Sequence, residues 1–270
     1  DILEKEGIDF YRQDFNMGPE YHWLCNDAPD RQGITENKHV TGYYAYWDGL
    51  VARFPKLWLD SCASGGNRND LETMRRAVTL LRSDYLTEPV GQQGHTYGLS
   101  FWVPYHGTGT VACSNAGYYG GGATPVEPYA FWSNAAPSLG SGIDIRVREI
   151  DWEAVRELLA DWRAVNGCYY GDFYPLTPYT RDEAQWVGWQ FDVPERGEGM
   201  VQVFRRGRSP YEAARFPLRG LDAGKTYEVT DLATDETTRV SGEDLLGNGL
   251  LVAMPERPQA AVLRYRLAGE

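Results

Sequence analysis

The spacing of apolar positions changes character twice along this chain. In "GIDFYRQDF", residues 7–15, alternation puts Ile8, Phe10, Arg12 and Asp14 on one side of an extended strand. From 37 to 53, Val40, Tyr43, Tyr44, Trp47, Leu50 and Val51 keep helical spacing. Pro55 stops that helix, and "KLWLDSC" predicts the next strand. After the glycine-rich "ASGGN", residues 70–81 are predicted to be helical, capped by Asn69 or Asp70, with Leu71, Met74, Val78 and Leu81 on one face. "RSDYL", "YGLSFWVPY" and "PYAFW" read as three further strands. "DWEAVRELLADWRAVNG" reads as an amphipathic helix that Gly167 terminates.

Repeated strand–helix units predict a parallel sheet with helices outside it. The five strands fit the closing part, strands 4 to 8, of a partial (β/α)8 TIM barrel, and this α/β fold is expected for residues 1–166. From 167 to 270 the period becomes two, through "WVGWQFDV", "GMVQVFRR", "TYEVTDL", "TTRVSG", "GLLVAM" and "AAVLRYRL". That predicts an antiparallel β-sandwich domain. The opening "DILEKEGIDF" reads as a helix end running straight into a buried strand. The chain is therefore expected to be a fragment, with a sheet edge and an apolar face left open.

Composition narrows the function classes. Net charge is −12 over 270 residues with no basic run, so neither nucleic acid nor anionic membrane is an expected partner. No apolar run approaches the roughly 18 residues of a bilayer span. Cysteines 25, 62, 113 and 168 form no CxxC pair, which favours a reducing, cytoplasmic setting. The four histidines lie far apart and form no HExxH motif, so a zinc site is not expected. Nine Trp and eighteen Tyr exceed ordinary needs and suit sugar stacking as well as a core. Trp23, Trp47 and Trp102 are candidate platforms; Trp102 sits near a predicted strand end, whereas Trp47 lies in a helical stripe that marks it as core.

Barrel enzymes place catalysis at the C-terminal ends of their strands. There Asp14 and Arg12 face the pocket together, and the same parity in "RSDY" pairs Arg82 with Asp84. Two carboxylates at one mouth suit glycoside hydrolysis, which in its retaining form needs them about 5–5.5 Å apart. The competing reading of each aspartate is an ion pair that braces a strand end. Asp70 is read as a helix cap and Arg68 as a loop brace. Asp9, Asp48 and Asp60 are read as ion-pair partners on helices or outward parities. Asp27, Asp30, Arg31 and Glu36 lie in a loop that either covers the site or is merely solvated. Gln92, Gln93 and His95 follow Asp84 and are placed to reach the mouth.

"FYRQDFN", "LDSCASGGNRND", "RSDY", "GDFYPLTPY" and "GEGMVQVFRR" together resemble the catalytic half of the family 36 glycoside hydrolases, the α-galactosidases. The resemblance implies that Asp14 is the nucleophile, Asn16 a sugar-contacting residue, and Arg12 the occupant of a position where the family usually has lysine. It aligns Cys62 through Gly66, including Ser64 and Gly65, with a loop against the sugar 2-position. It makes Asp84 of the Ser83–Asp84 pair the acid/base. The spacings from Asp14 and from Cys62 to Asp84 agree with the family. A retaining exo-α-galactosidase that acts on α-galactoside substrates without a cofactor follows, with assembly as a homo-oligomer common in such enzymes. Two departures matter: a guanidinium at position 12 binds as a fork where an ammonium binds as a point, and Ser64 replaces a glycine of many members. The second leaves the choice between a 2-hydroxyl and a 2-acetamido group open, so an α-N-acetylgalactosaminidase is one alternative. An inactive or purely carbohydrate-binding truncated fragment is the other.

Overall fold

The computed structural model describes residues 2–78, 80, 82–84, 88–103, 105, 107–111, 126–141 and 148–269. The chain divides into two compact units, Asp1–Asp84 and Tyr85–Glu270.

The first unit runs α1 (Ile2–Glu6), β1 (Phe10–Asp14), α2 (Glu20–Asn26), α3 (Ile34–Arg53), β2 (Trp58–Cys62) and α4 (Leu71–Met74). The strands β1 and β2 pair in parallel, Phe10 opposite Trp58, Arg12 opposite Asp60 and Asp14 opposite Cys62. Alternation then gives the pair two different faces. Tyr11 and Leu59 turn toward α3, where fully buried Trp47 packs with Tyr43, Leu50 and Ala77. The Trp47 indole also donates to Gln13 Oε1 at 3.3 Å, so Trp47 is core, as its helical stripe predicts. The opposite face carries Phe10, Trp58, Arg12, Asp60, Asp14 and Cys62, with Phe10 and Trp58 exposed. Along the outer edge of β1 runs an open groove of about 910 Å³ walled by Ile2, Ile8, Phe10, Tyr46, Leu50 and Phe54.

Two expectations for this unit need correction. The helix predicted over 70–81 lasts one turn, because Val78 is already extended beside β2. Its N–H donates to Leu59 O at 2.8 Å, and Ser61 N–H donates to Val78 O at 3.3 Å. Pairing with a buried strand offers the backbone a better set of partners than further helix. "RSDYL" is not a strand over Arg82–Asp84, which form a bend; Tyr85 and Leu86, like Leu81, lie outside the described residues.

The second unit begins with α5 (Pro89–Leu99), β3 (Thr108–Val111), α6 (Pro128–Asn134), β4 (Ser138–Ser141) and α7 (Trp152–Val165). Two predicted strands are therefore helices: Tyr97–Leu99 ends α5, and "PYAFW" opens α6. Each helix starts at a Glu-Pro pair. Glu88 accepts from Val90 N–H (3.3 Å) and Gly91 N–H (2.6 Å), and Glu127 accepts from Tyr129 N–H (3.1 Å) and Ala130 N–H (3.0 Å). The following proline supplies the preset φ of a first helical position. β3 and β4 form a second parallel pair. α7 forms as predicted, capped by Asp151 and burying Val155, Leu158 and Val165.

The remaining strands are β5 (Asp172–Pro175), β6 (Val187–Val193), β7 (Glu198–Arg205), β8 (Ala213–Phe216), β9 (Thr226–Asp231) and β10 (Thr237–Ser241). After α8 (Gly242–Gly247) come β11 (Leu250–Ala253) and β12 (Gln259–Leu267). Six of them form an antiparallel sheet in the order β10-β9-β12-β7-β6-β5. One face, with Trp189, Phe191, Met200 and Phe204, packs against side chains of α6 and α7. The other, with Val201, Val203, Leu263 and Tyr265, packs against the two-stranded sheet β8–β11. The expected second layer of a sandwich is thus a single hairpin-sized sheet, and helices cover the remaining face.

Candidate active site

The polar face of β1–β2 ends in Asp14 and Cys62, side by side at the C-terminal ends of two parallel strands. The parallel register that places them also puts Arg12 beside Asp60. Arg12 Nη1 donates to Asp60 Oδ2, and Arg12 Nη2 lies 3.8 Å from Asp14 Oδ2. Asp14 is 40% exposed along its side chain and Asp60 only 1%. Burial pushes the Asp60 carboxyl up, and the guanidinium and the Leu80 N–H, at 3.2 Å, draw it only part-way back. Burial opposes the Arg12 charge as well, but Asp60 above all, then Cys62 and Asp14, raise its pKa beyond the ordinary value.

Asp60 is the residue the sequence reading misplaced. The ion-pair role expected of it holds, with Arg12 as its partner, but its parity is not outward: it shares the face of Arg12 and Asp14. The signal was present, since Asp60 and Cys62 are two apart in one strand and must point the same way. Burial raises the Cys62 thiol as well, and the neighbouring Asp14 carboxylate pushes it the same way.

Beyond Cys62 the chain turns sharply. Ser64 adopts a left-handed backbone (φ 43°) and Gly65 follows at φ 77°. Asn16, two residues beyond Asp14, accepts from Ser64 N–H at 2.7 Å and from its hydroxyl at 3.3 Å. Asn16 thereby braces the loop that the resemblance sets against the sugar 2-position. A side chain at Gly65 would lie 2.9 Å from the Ser83 carbonyl carbon and closer still to the Asp84 nitrogen. At Gly66 it would meet Arg82 O. The two glycines let the Cys62 loop lie directly on the Arg82–Asp84 bend, so an unbroken series of contacts links Asp14, Cys62, the glycine turn and the backbone of Asp84. Asp84 is half-buried and Arg82 buried.

The other candidates scatter. Asp70 caps α4, accepting from Thr73 N–H (2.9 Å) and hydroxyl (2.8 Å). Asp48 pairs with Arg76 at 2.6 Å. Asp27 is taken up by the start of α3, accepting from Gly33 N–H (2.6 Å) and from Thr35 N–H (2.9 Å) and hydroxyl (2.6 Å). Arg68 stacks over Phe15, 4.7 Å from the ring centre, which is the bracing role expected of it. Trp23 packs against His39. Gln92 and Gln93 are buried in the second unit, where Gln93 bonds Tyr129, Ser133 and Arg206. Trp102 lies in a turn just after α5 rather than at a strand end, which removes the argument that favoured it. Among the described residues Cys25, Cys62 and Cys168 are free thiols, and no group of His, Cys, Asp or Glu could hold a metal. No helix among them is long and apolar enough to cross a membrane.

The described site is thus a parallel strand pair that ends in Asp14 and Cys62, with a glycine turn lying against the backbone of Asp84. Residues 1–120 match the Melibiase family model, and residues 186–265 match the glycosyl hydrolase family 36 C-terminal domain. The chain belongs to glycoside hydrolase family 36. It is 26% identical over 262 residues to α-galactosidase AgaA of Geobacillus stearothermophilus, covering 95% of this chain and 34% of that protein. Against α-galactosidase C of Emericella nidulans it is 27% identical, covering 93% and 31%. The chain thus spans about a third of the length of these relatives. In fold it resembles the crystal structure of AgaA with a TM-score of 0.78 at 21% identity, covering 99% of this chain and 36% of that one. The galactosidase domain of the α-galactosidase–sucrose kinase AgaSK gives 0.74 at 21% identity, covering 99% and 36%.

Proposed function

We propose that this chain carries the catalytic aspartates of a retaining α-galactosidase that releases terminal α-galactosyl residues. Asp14 attacks the anomeric carbon and forms a glycosyl ester, while Asp84 protonates the departing oxygen. Asp84, once ionised, takes a proton from water as that water opens the ester. The observation that carries this reading is the run of contacts from Asp14 through Cys62 and Gly65 to the Asp84 backbone. Variants of AgaA carrying one or the other of two substituted aspartates are known in complex with raffinose and with stachyose. Those two aspartates stand as far apart in that sequence as Asp14 and Asp84 do in this one, which supports the assignment. Arg12, Asn16, Cys62, Ser64 and Gly65 would form the floor of the sugar site.

On the same reading, residues 1–166 belong to the closing part of a (β/α)8 barrel and 167–270 to a C-terminal antiparallel domain. The parallel pairs β1–β2 and β3–β4 are the kind of strand pairing such a barrel requires. The test is proton NMR of the first sugar released from p-nitrophenyl α-galactoside by the complete protein. The α-anomer is expected; the β-anomer rules out a retaining mechanism, and a strong preference for the 2-acetamido analogue rules out the substrate.

A further inference from the structure

This inference rests on the reading of Asp14 as the nucleophile. Arg12 stands between two carboxylates on one face of β1–β2. It bonds Asp60, its register partner, through Nη1, while Nη2 stays 3.8 Å from Asp14 Oδ2, beyond hydrogen-bond reach. A guanidinium with no other partner forms a two-pronged bond with the nearest carboxylate. A carboxylate held in that fork has its lone pairs engaged and attacks poorly. Asp60 is 1% exposed, so water does not compete for its oxygens. Its second oxygen accepts from Leu80 N–H at 3.2 Å, which fixes its direction against the segment that leads to Asp84.

We propose that Asp60 is a positioning residue that holds Arg12 back from Asp14, keeping a positive charge near the nucleophile while leaving its attacking oxygen free. Asp60 touches no reacting atom and acts only through Arg12.

The experiment compares Asp60→Asn, Arg12→Met and the double variant in the complete protein. Asp60→Asn preserves shape, releases Arg12 onto Asp14, and should lower kcat on the order of 10²-fold with KM little changed, as a displacement of about an ångström does. The double variant should be no slower than Arg12→Met alone, since groups that act as one unit are not additive. A kcat within twofold of the parent, or losses that multiply independently, overturns the proposal. If Asp60→Asn does not fold, Asp60→Glu takes its place, with a smaller loss and the same dependence on Arg12. Nitrogen-15 NMR of the Arg12 guanidinium reads the same event without turnover. In Asp60→Asn the Nη2 signal should take the shift of a carboxylate-bonded guanidinium, and adding Asp14→Asn should remove that part of the change; an Nη2 signal that Asp14→Asn leaves untouched overturns the role of Asp60. A parent protein without α-galactosidase activity would sink the reading of the site, while these signals would still decide whether Asp60 restrains Arg12.

Discussion

Ser64 holds a backbone conformation that costs an L residue about 1–2 kcal/mol, and the two hydrogen bonds it donates to Asn16 Oδ1 help to hold it there. Strain stored next to a pair of acids belongs to a turn that must present something with precision. The two acids should separate cleanly on substitution. Asp14→Ala should abolish turnover, and azide, entering the emptied space, should restore it in part and give the β-galactosyl azide. Asp84→Ala should lose about 10²–10⁴-fold on alkyl leaving groups, spare nitrophenyl substrates that need no proton, and give the α-galactosyl azide. Product NMR distinguishes the two anomers, and the same anomer from both variants would leave the roles unassigned. Most of this was legible in single residues: strand parity alone placed Arg12 and Asp14 together. Asp60 was equally legible by parity, but an aspartate flanked by Leu59 and Ser61 looked like an ordinary ion-pair partner, and only the register with β1 shows which arginine it holds.

Among elements, two of the errors share a cause. α5 and α6 carry aromatic and β-branched residues, which favour strands, and α6 buries Tyr129 through Asn134 without a polar face, so no helical period shows. Their start signal lay just outside the apolar run: Glu88-Pro89 and Glu127-Pro128 each put a carboxylate on free N–H groups ahead of a proline. Glutamate is not among the preferred capping residues, which is why the signal passed unread. α4 fails for the opposite reason. Its residues suit a helix, but Val78 has tertiary partners on β2 that local preference cannot foresee. The glycine turn was read correctly as an element, though its contact was not. Gly65→Ala tests that contact, because the added methyl must displace the backbone of Ser83 and Asp84. The variant should lose kcat chiefly on substrates with poor leaving groups, where protonation by Asp84 limits the rate. An equal loss on nitrophenyl and alkyl galactosides would mean that the turn shapes the sugar site and leaves the acid undisturbed.

For the molecule as a whole, a net charge of −12 makes its response to pH a matter of carboxylates. In the first unit Asp27 is lowered by the Thr35 hydroxyl and neighbouring N–H groups, Asp48 by Arg76, and Glu72 by Arg76 and Arg75. Burial works to raise Asp70, but its capping bonds outweigh it and it too is lowered. Depressed groups stabilise the fold above their unfolded values, about 3.9–4.3, and that contribution fades as pH falls through the folded ones. The second unit holds groups of the other sign. Asp192 is raised by burial, only partly offset by the Tyr265 hydroxyl 2.5 Å away, with Asp172 and Glu195 pushing further up. Among the described residues its Oδ2 is buried without a partner. A raised carboxyl contributes stability that is complete below about 3.9 and is lost as pH climbs through the folded value. Asp192→Asn keeps an acceptor for Tyr265 and removes the titration. Thermal unfolding of the second unit, followed by the buried Trp189 between roughly pH 4 and 8, should therefore fall less steeply with rising pH in the variant than in the parent. Slopes that superimpose would show that Asp192 folds at no cost to its charge, through a compensating partner for Oδ2.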